Sequence, residues 1–299
     1  MVEIKHKEEV ELVNQINKYT MALTLMYITN KPEVAKIAEN AGVDWIFLDM
    51  EFIGKDSRQG GLDTVQNHHT VEDVKRIRNT VSQSKVMVRV NPIHDVMEGY
   101  PSSKDEIDAV IQAGADVIML PFFKTVDEVN SFIRFVNGRA KTLLLLETVE
   151  AADLIDEILE VPGIDMIHLG LNDLHLEKGM KFMFQLLSDG TVDYLANKIK
   201  TKGIPFGFGG IARLNTGMLP GSDVLKEHYR LGSSMVIVSR SFCNTDEITV
   251  MEEIQRTFAD GIKEIRDLEA DIVGKDTSYF EKNHQEVVRV VEEIVKTMG

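Results

Sequence analysis

The sequence predicts a (β/α)8 barrel, an α/β TIM-barrel architecture, on three observations. Eight short apolar runs recur between about residues 20 and 245 of a 299-residue chain. Most of them are continuous rather than alternating, the pattern of strands buried on both faces of a parallel sheet. Stretches with apolar residues at helical spacing separate them, and eight such units in sequence suit a barrel better than a doubly wound sheet, which usually has fewer strands.

The predicted strands are Met21–Tyr27, Val43–Leu48, Lys85–Val90, Asp116–Leu120, Thr142–Leu146, Asp165–Leu169, Ile204–Phe208 and Ser234–Val238. The predicted helices between them are Lys31–Ala41, Val71–Val81, Lys104–Ala113, Val126–Val136, Glu150–Glu160, Val192–Lys202 and Val224–Leu231. A recurring joint, as in Ala41-Gly42-Val43-Asp44 and Ala113-Gly114-Ala115-Asp116, fixes where each strand begins, because glycine suits the left-handed position that ends a helix. Lys7–Ile16 reads as a helix capping the barrel bottom, and Ile248–Leu268 as the eighth barrel helix. Ser278–Met298 reads as an extra helix whose stripe of Val287, Val288, Val290, Val291, Ile294 and Val295 needs a cover. That cover is either the barrel floor or a neighbouring subunit, so the C-terminal helices 246–299 are expected in a homo-oligomer contact. Phe52–Thr70, the longest irregular stretch, is expected to be a lid or a subunit-contact loop. No linker divides the chain, so residues 1–299 are read as one domain.

Composition narrows the partners. Hydrophobic residues make up 43% and charged residues 27%, ordinary for a soluble globular protein. A net charge of −15 argues against nucleic acid and anionic membranes, and an anionic substrate would need a locally basic pocket. The single cysteine, Cys243, excludes an intrachain disulfide and fits a reducing cytosol. Met1–Val13 is charged and lacks the apolar segment of a signal peptide, and no apolar run is long enough to span a membrane, so the expected location is cytoplasmic.

In such barrels the chemistry sits at the C-terminal strand ends. Those ends carry Asp49 and Glu51, Arg89, Pro121, Glu147, Asn172 and Asp173, Gly207-Phe208-Gly209-Gly210, and Ser239-Arg240. Glu147 and Asp173 close consecutive apolar strands, where a buried charge is costly unless compensated. Each alone reads equally as a helix cap or an ion-pair partner; together on adjacent strands they suit a hard divalent cation such as Mg²⁺ or Mn²⁺. No Cys/His spacing suits zinc. Arg89 either binds a carboxylate or enolate oxygen through its planar fork or pairs with Asp49 or Glu51, and both can hold. The glycine run after strand seven is either an anion cradle or simple turn punctuation.

Several segments then resemble the HpcH/HpaI aldolase and citrate lyase β-subunit superfamily over roughly residues 20–245. They are Ala41 to Asp49, Val88-Arg89-Val90-Asn91-Pro92, Ala113 to Pro121, Leu146-Glu147-Thr148-Val149-Glu150-Ala151, and Leu169-Gly170-Leu171-Asn172-Asp173-Leu174. The resemblance implies a metal-dependent carbon–carbon lyase of the class II aldolase type, acting on a small anionic 2-oxo acid through a pyruvate-like enolate. It implies Mg²⁺ or Mn²⁺, with Co²⁺ an alternative, held by Glu147 and Asp173. It also implies that amides near Asn172 and Asp173 hold the substrate carboxylate, that Arg89 stabilises the enolate oxygen, and that Pro121 lies in the substrate site. Two positions depart from the family. A histidine usual after the position of Glu51 is Phe52 here, and a glutamine usual two residues before the metal glutamate is Leu145. A replacement proton carrier would come from His69 or His68, His175 or His94, with Asp49 or Glu51 positioning water. A citrate- or malyl-CoA-type thioester lyase and a non-catalytic carboxylate-binding barrel are the alternatives.

Overall fold

The computed structural model describes residues 22–54 and 68–298. The expected helix Lys7–Ile16, the start of strand one at Met21 and most of the Phe52–Thr70 loop lie outside the described residues.

Eight parallel strands close into a barrel, each paired with the next and β1 with β8. They are β1 Thr24–Ile28, β2 Trp45–Asp49, β3 Lys85–Arg89, β4 Val117–Leu120, β5 Lys141–Leu146, β6 Met166–Leu169, β7 Phe206–Ile211 and β8 Met235–Val238. The helices in chain order are α1 Pro32–Ala41, α2 Val71–Thr80, α3 Ser103–Gln112, α4 Val126–Val136, α5 Val149–Asp153, α6 Ile155–Ile158, α7 Leu171–Glu177, α8 Gln185–Ser188, α9 Thr191–Thr201, α10 Gly221–Leu231, α11 Met251–Ile272 and α12 Thr277–Thr297.

The continuous apolar strands have two buried faces. Along β1, Leu25 and Tyr27 join the layer beneath the helices, whereas Met26 joins a separate interior cluster with Phe47, Met87, Met119, Leu143 and Met235. That period of two fills the barrel with side chains, so the barrel interior is a packed core.

The glycine joints behave as the sequence predicts: Gly42 and Gly114 both have φ +100. The aspartate that follows has its own task. Asp44, Asp116 and Asp165 accept the backbone N–H of Leu25, Val86 and Thr142, near the start of the preceding strand, at 2.7–2.9 Å. α2 and α4 begin with reciprocal capping boxes, Thr70 with Asp73 and Thr125 with Glu128.

Two expectations change. The helix expected over Glu150–Glu160 is split in two by Leu154, whose φ −90 and ψ 13 leave the helical range. β7 runs on to Ile211, past the predicted end at Phe208, and its pairing with β8 shifts register between Gly207 and Gly210. The glycines there are therefore strand residues that permit a bulge. α12 finds part of its cover within its own chain. It packs on α10, where the Asn283 amide donates to Glu227 Oε1 at 3.0 Å and His284 Nδ1 lies 2.9 Å from Glu227 Oε2, with Val287 and Val291 buried. Val288, Val290, Ile294 and Val295 of its stripe are only half-buried.

Candidate functional site

A cavity of about 370 Å³ opens at the C-terminal ends of the strands. Glu147, Asp173, Asn172, Arg89 and Asp49 all line it, drawn from the ends of four strands. Sequence phase alone brings these five together.

Glu147 follows β5 and is buried. It does not cap the next helix: Thr148 does, its Oγ1 accepting from the Ala151 N–H at 3.2 Å. Glu147 Oε1 instead accepts the Phe122 N–H at 3.0 Å. Phe122 reaches it through a left-handed backbone, φ +48, a conformation uncommon for a bulky residue. On the other side, a Cβ at Gly170 would lie 2.6 Å from Glu147 Cβ and 2.8 Å from Oε2. Only glycine lets the end of β6 pass against this glutamate. Asp173 lies in the first turn of α7, near the positive end of the peptide dipoles.

Arg89 ends β3 directly beside Asp49, its register partner on β2. Nε donates to Asp49 Oδ1 and Nη2 to Oδ2, both at 2.8 Å, and Nη1 lies 3.3 Å from Glu51 Oε2. Burial alone would lower the guanidinium pKa. The carboxylates of Asp49 and Glu51 overcome this, with a further contribution from Glu147, and hold it well above its ordinary value. The ion pair aims the fork, and the arginine lines the cavity.

Arg240, just after β8, also lines the cavity. Three carboxylates line the cavity, Asp49, Glu147 and Asp173, against the two arginines, a formal deficit of one positive charge, and Glu51 adds a further carboxylate beside Arg89. That charge balance, with two carboxylates on one wall and room for water, fits a hard divalent cation. Among the described residues, no group of three or more His, Cys, Asp or Glu side chains gathers as a complete cage.

The predicted histidines are dispersed. His94 is engaged in the loop before α3, its Nδ1 2.7 Å from the Pro92 carbonyl and its Nε2 2.9 Å from that of Pro101. His175 Nδ1 donates to the Leu171 carbonyl one turn back at 3.1 Å. His68 is exposed and stacks on Phe52, with ring centroids 5.1 Å apart. His69 is buried, and its Nδ1 accepts the Asp49 N–H at 2.9 Å, so the neutral ring carries its proton on Nε2. It lines a separate cavity of about 80 Å³ that shares Arg240 with the larger one. Glu51 and Pro121 are buried and lie outside the residues lining the larger cavity.

One histidine that sequence reasoning passed over does line it. His168 on β6 pairs in register with Leu145 on β5. Its Nε2 donates to the Gly209 carbonyl at 2.9 Å, and its Nδ1 is buried with no hydrogen-bond partner. Burial pushes its pKa down to about 4, the Gly209 bond opposing and the Arg89 charge adding to the fall. The ring is therefore neutral near neutral pH. The apolar run in which His168 sits gives no signal of this, because a strand reads the same whichever face a residue occupies.

Residues 23–183 match the family described as HpcH/HpaI aldolase/citrate lyase. A hydroxypyruvate/pyruvate aldolase of Roseovarius nubinhibens is 22% identical over 160 residues, which covers 50% of this chain and 61% of the relative. A 2-keto-3-deoxy-L-rhamnonate aldolase of Escherichia coli is 22% identical over 196 residues, covering 55% of this chain and 65% of the relative. The chain thus spans under two thirds of the length of these curated relatives. Among solved structures, an HpcH/HpaI aldolase from Desulfitobacterium hafniense aligns with a TM-score of 0.56 at 16% identity, over 82% of this chain and 93% of the other. A family protein from Burkholderia cenocepacia aligns with a TM-score of 0.57 at 16% identity, over 85% of this chain and 98% of the other. At that identity they establish the barrel fold.

Proposed function

We propose, from the premise that this chain belongs to the HpcH/HpaI aldolase/citrate lyase family, that it is a metal-dependent carbon–carbon lyase working through a pyruvate enolate. The observation that carries the reading is the convergence of Glu147, Asp173, Asn172 and Arg89 on one cavity at the barrel mouth.

In the cleavage direction a 4-hydroxy-2-oxo acid loses its 4-hydroxyl proton and the C3–C4 bond breaks. The electron pair enters the enolate of pyruvate, the aldehyde leaves, and C3 takes up a proton. Glu147 and Asp173 would hold Mg²⁺, Mn²⁺ or Co²⁺, which supplies Lewis acidity toward the 2-oxo acid. Amides at Asn172 and Asp173 would orient the carboxylate. Arg89, fixed in direction by Asp49 and Glu51, places positive charge where the enolate oxygen develops, at no reorganisation cost. His69 lines the small cavity shared with Arg240; with its Nδ1 already accepting the Asp49 N–H, it would orient a proton-carrying water through its Nε2–H rather than take up the proton itself. A homo-oligomer remains part of the proposal, on family grounds.

The test is pyruvate release from a panel of 2-keto-3-deoxy acids with added Mg²⁺, Mn²⁺ or Co²⁺. Activity should be lost in Glu147→Gln and in Asp173→Asn. Full activity in both variants would remove the metal assignment, and thioester consumption instead of aldol cleavage would redirect the reading to a CoA-type lyase.

A further inference from the structure

A second cavity of about 220 Å³ adjoins the reaction cavity, and Met183, Gly210 and Ser239 line both. Gly210 contributes no side chain to the shared wall. Beyond the junction the second cavity is walled by Phe182, Phe184, Ile211, Leu219 and Val224, all buried, with Met218 exposed at its rim. Among the described residues, no charged side chain lines it. The hydroxyls of Ser239 and Ser241 lie 2.8 Å apart, one donating to the other.

We propose that this cavity receives the far end of the substrate, and that the aldehyde partner is therefore an apolar, alkyl or aryl, aldehyde. The proposal rests on the aldol reading above. A carboxylate or phosphate at that end of the substrate would lose its hydration among Phe182, Phe184 and Val224 with no cation to meet it. An alkyl chain gains on transfer to the same walls. Met183 and Met218, flexible and polarizable, can adjust to chains of different shape. The other recess beside the reaction cavity, lined by Lys31 and Arg240, is polar but encloses only about 80 Å³. Size and chemistry both favour the apolar side.

The test measures aldol addition of pyruvate to acetaldehyde, propanal, butanal, pentanal and benzaldehyde, and to 5-oxopentanoate, which matches pentanal in length but ends in a carboxylate. Exchange of the pyruvate C3 hydrogens for deuterium, without aldehyde, is followed in parallel. The expected result is exchange together with a kcat/KM that rises about fourfold for each added methylene and falls for 5-oxopentanoate. Met218→Glu, on an exposed side chain, should abolish the rise with chain length while leaving exchange unchanged. Exchange with 5-oxopentanoate equal to or better than pentanal would overturn the apolar assignment and leave the aldol reading standing. A chain-length gradient that survives Met218→Glu would overturn the location. Absence of exchange would overturn the aldol reading and this inference with it.

Discussion

At the residue scale, Arg89 shows how a charge is kept both buried and directed. Its fork meets Asp49 through two bonds of 2.8 Å, a geometry an ammonium cannot reproduce. Arg89→Lys should therefore lower kcat by about a hundredfold, with a smaller change in KM, since it removes a donor that acts on developing charge. Asp49→Ala should instead act on stability. It leaves the guanidinium buried without its main partner and should cost about 3 kcal/mol in denaturant unfolding. Asp49, Arg89, Glu147, Asn172 and Asp173 were legible in the sequence because strand phase identifies the mouth and few charged residues end buried strands. Phe122, Gly170 and His168 were not. The left-handed backbone of Phe122, the 2.6 Å approach that excludes a side chain at Gly170 and the inward face of His168 depend on neighbouring strands. The histidines named from the sequence could not be sorted, because loop position does not say where a ring points.

At the scale of elements, β7 is where the sequence reading and the structure part most clearly. The run Gly207-Phe208-Gly209-Gly210 resembles a strand end, yet the strand continues through it with a register shift against β8. A Cβ at Gly207 would lie 2.3 Å from the Met235 carbonyl oxygen. Gly207→Ala should force β7 from β8 and lower the thermal midpoint by several degrees, whereas alanine at Gly138, which has no heavy atom near its Cβ position, acts only through its φ of +68. His168 ties the same strand to β6 through Gly209. Its folded-state pKa, about 4, lies below the ordinary value of 6.5. The folded protein then binds fewer protons than the unfolded chain between those values. The stability this confers is fully present above about pH 6.5 and is lost as pH falls toward 4. Burial lowers the pKa of His228 too, and the His168 charge adds to it, so it contributes with the same sign. Thermal unfolding of His168→Phe should show a shallower decline between pH 6.5 and 4 than the parent. Parallel declines would contradict the assignment.

At the scale of the whole molecule, the barrel was legible because continuous apolar strands, glycine joints and amphipathic helices agree on one architecture. The seat of α12 was not. Its stripe says that a cover is needed, but the cover, α10, is specified by Glu227 meeting Asn283 and His284, a polar contact that no periodicity announces. Val288, Val290, Ile294 and Val295 of that stripe are only half-buried, and they are the surface proposed for the homo-oligomer contact. Light scattering should give a mass above one chain of 33.7 kDa, and a monomer would contradict it. Closed barrel, excess of carboxylates and directed arginine support the proposal that the mouth holds a divalent cation and enolises a 2-oxo acid. The most direct measurement is deuterium exchange at pyruvate C3, followed by proton NMR with no aldehyde present. The account predicts exchange that requires Mg²⁺, Mn²⁺ or Co²⁺ and falls to the buffer rate in Glu147→Gln and Asp173→Asn. Exchange at the parent rate in both variants, or equal exchange after chelation, would contradict it.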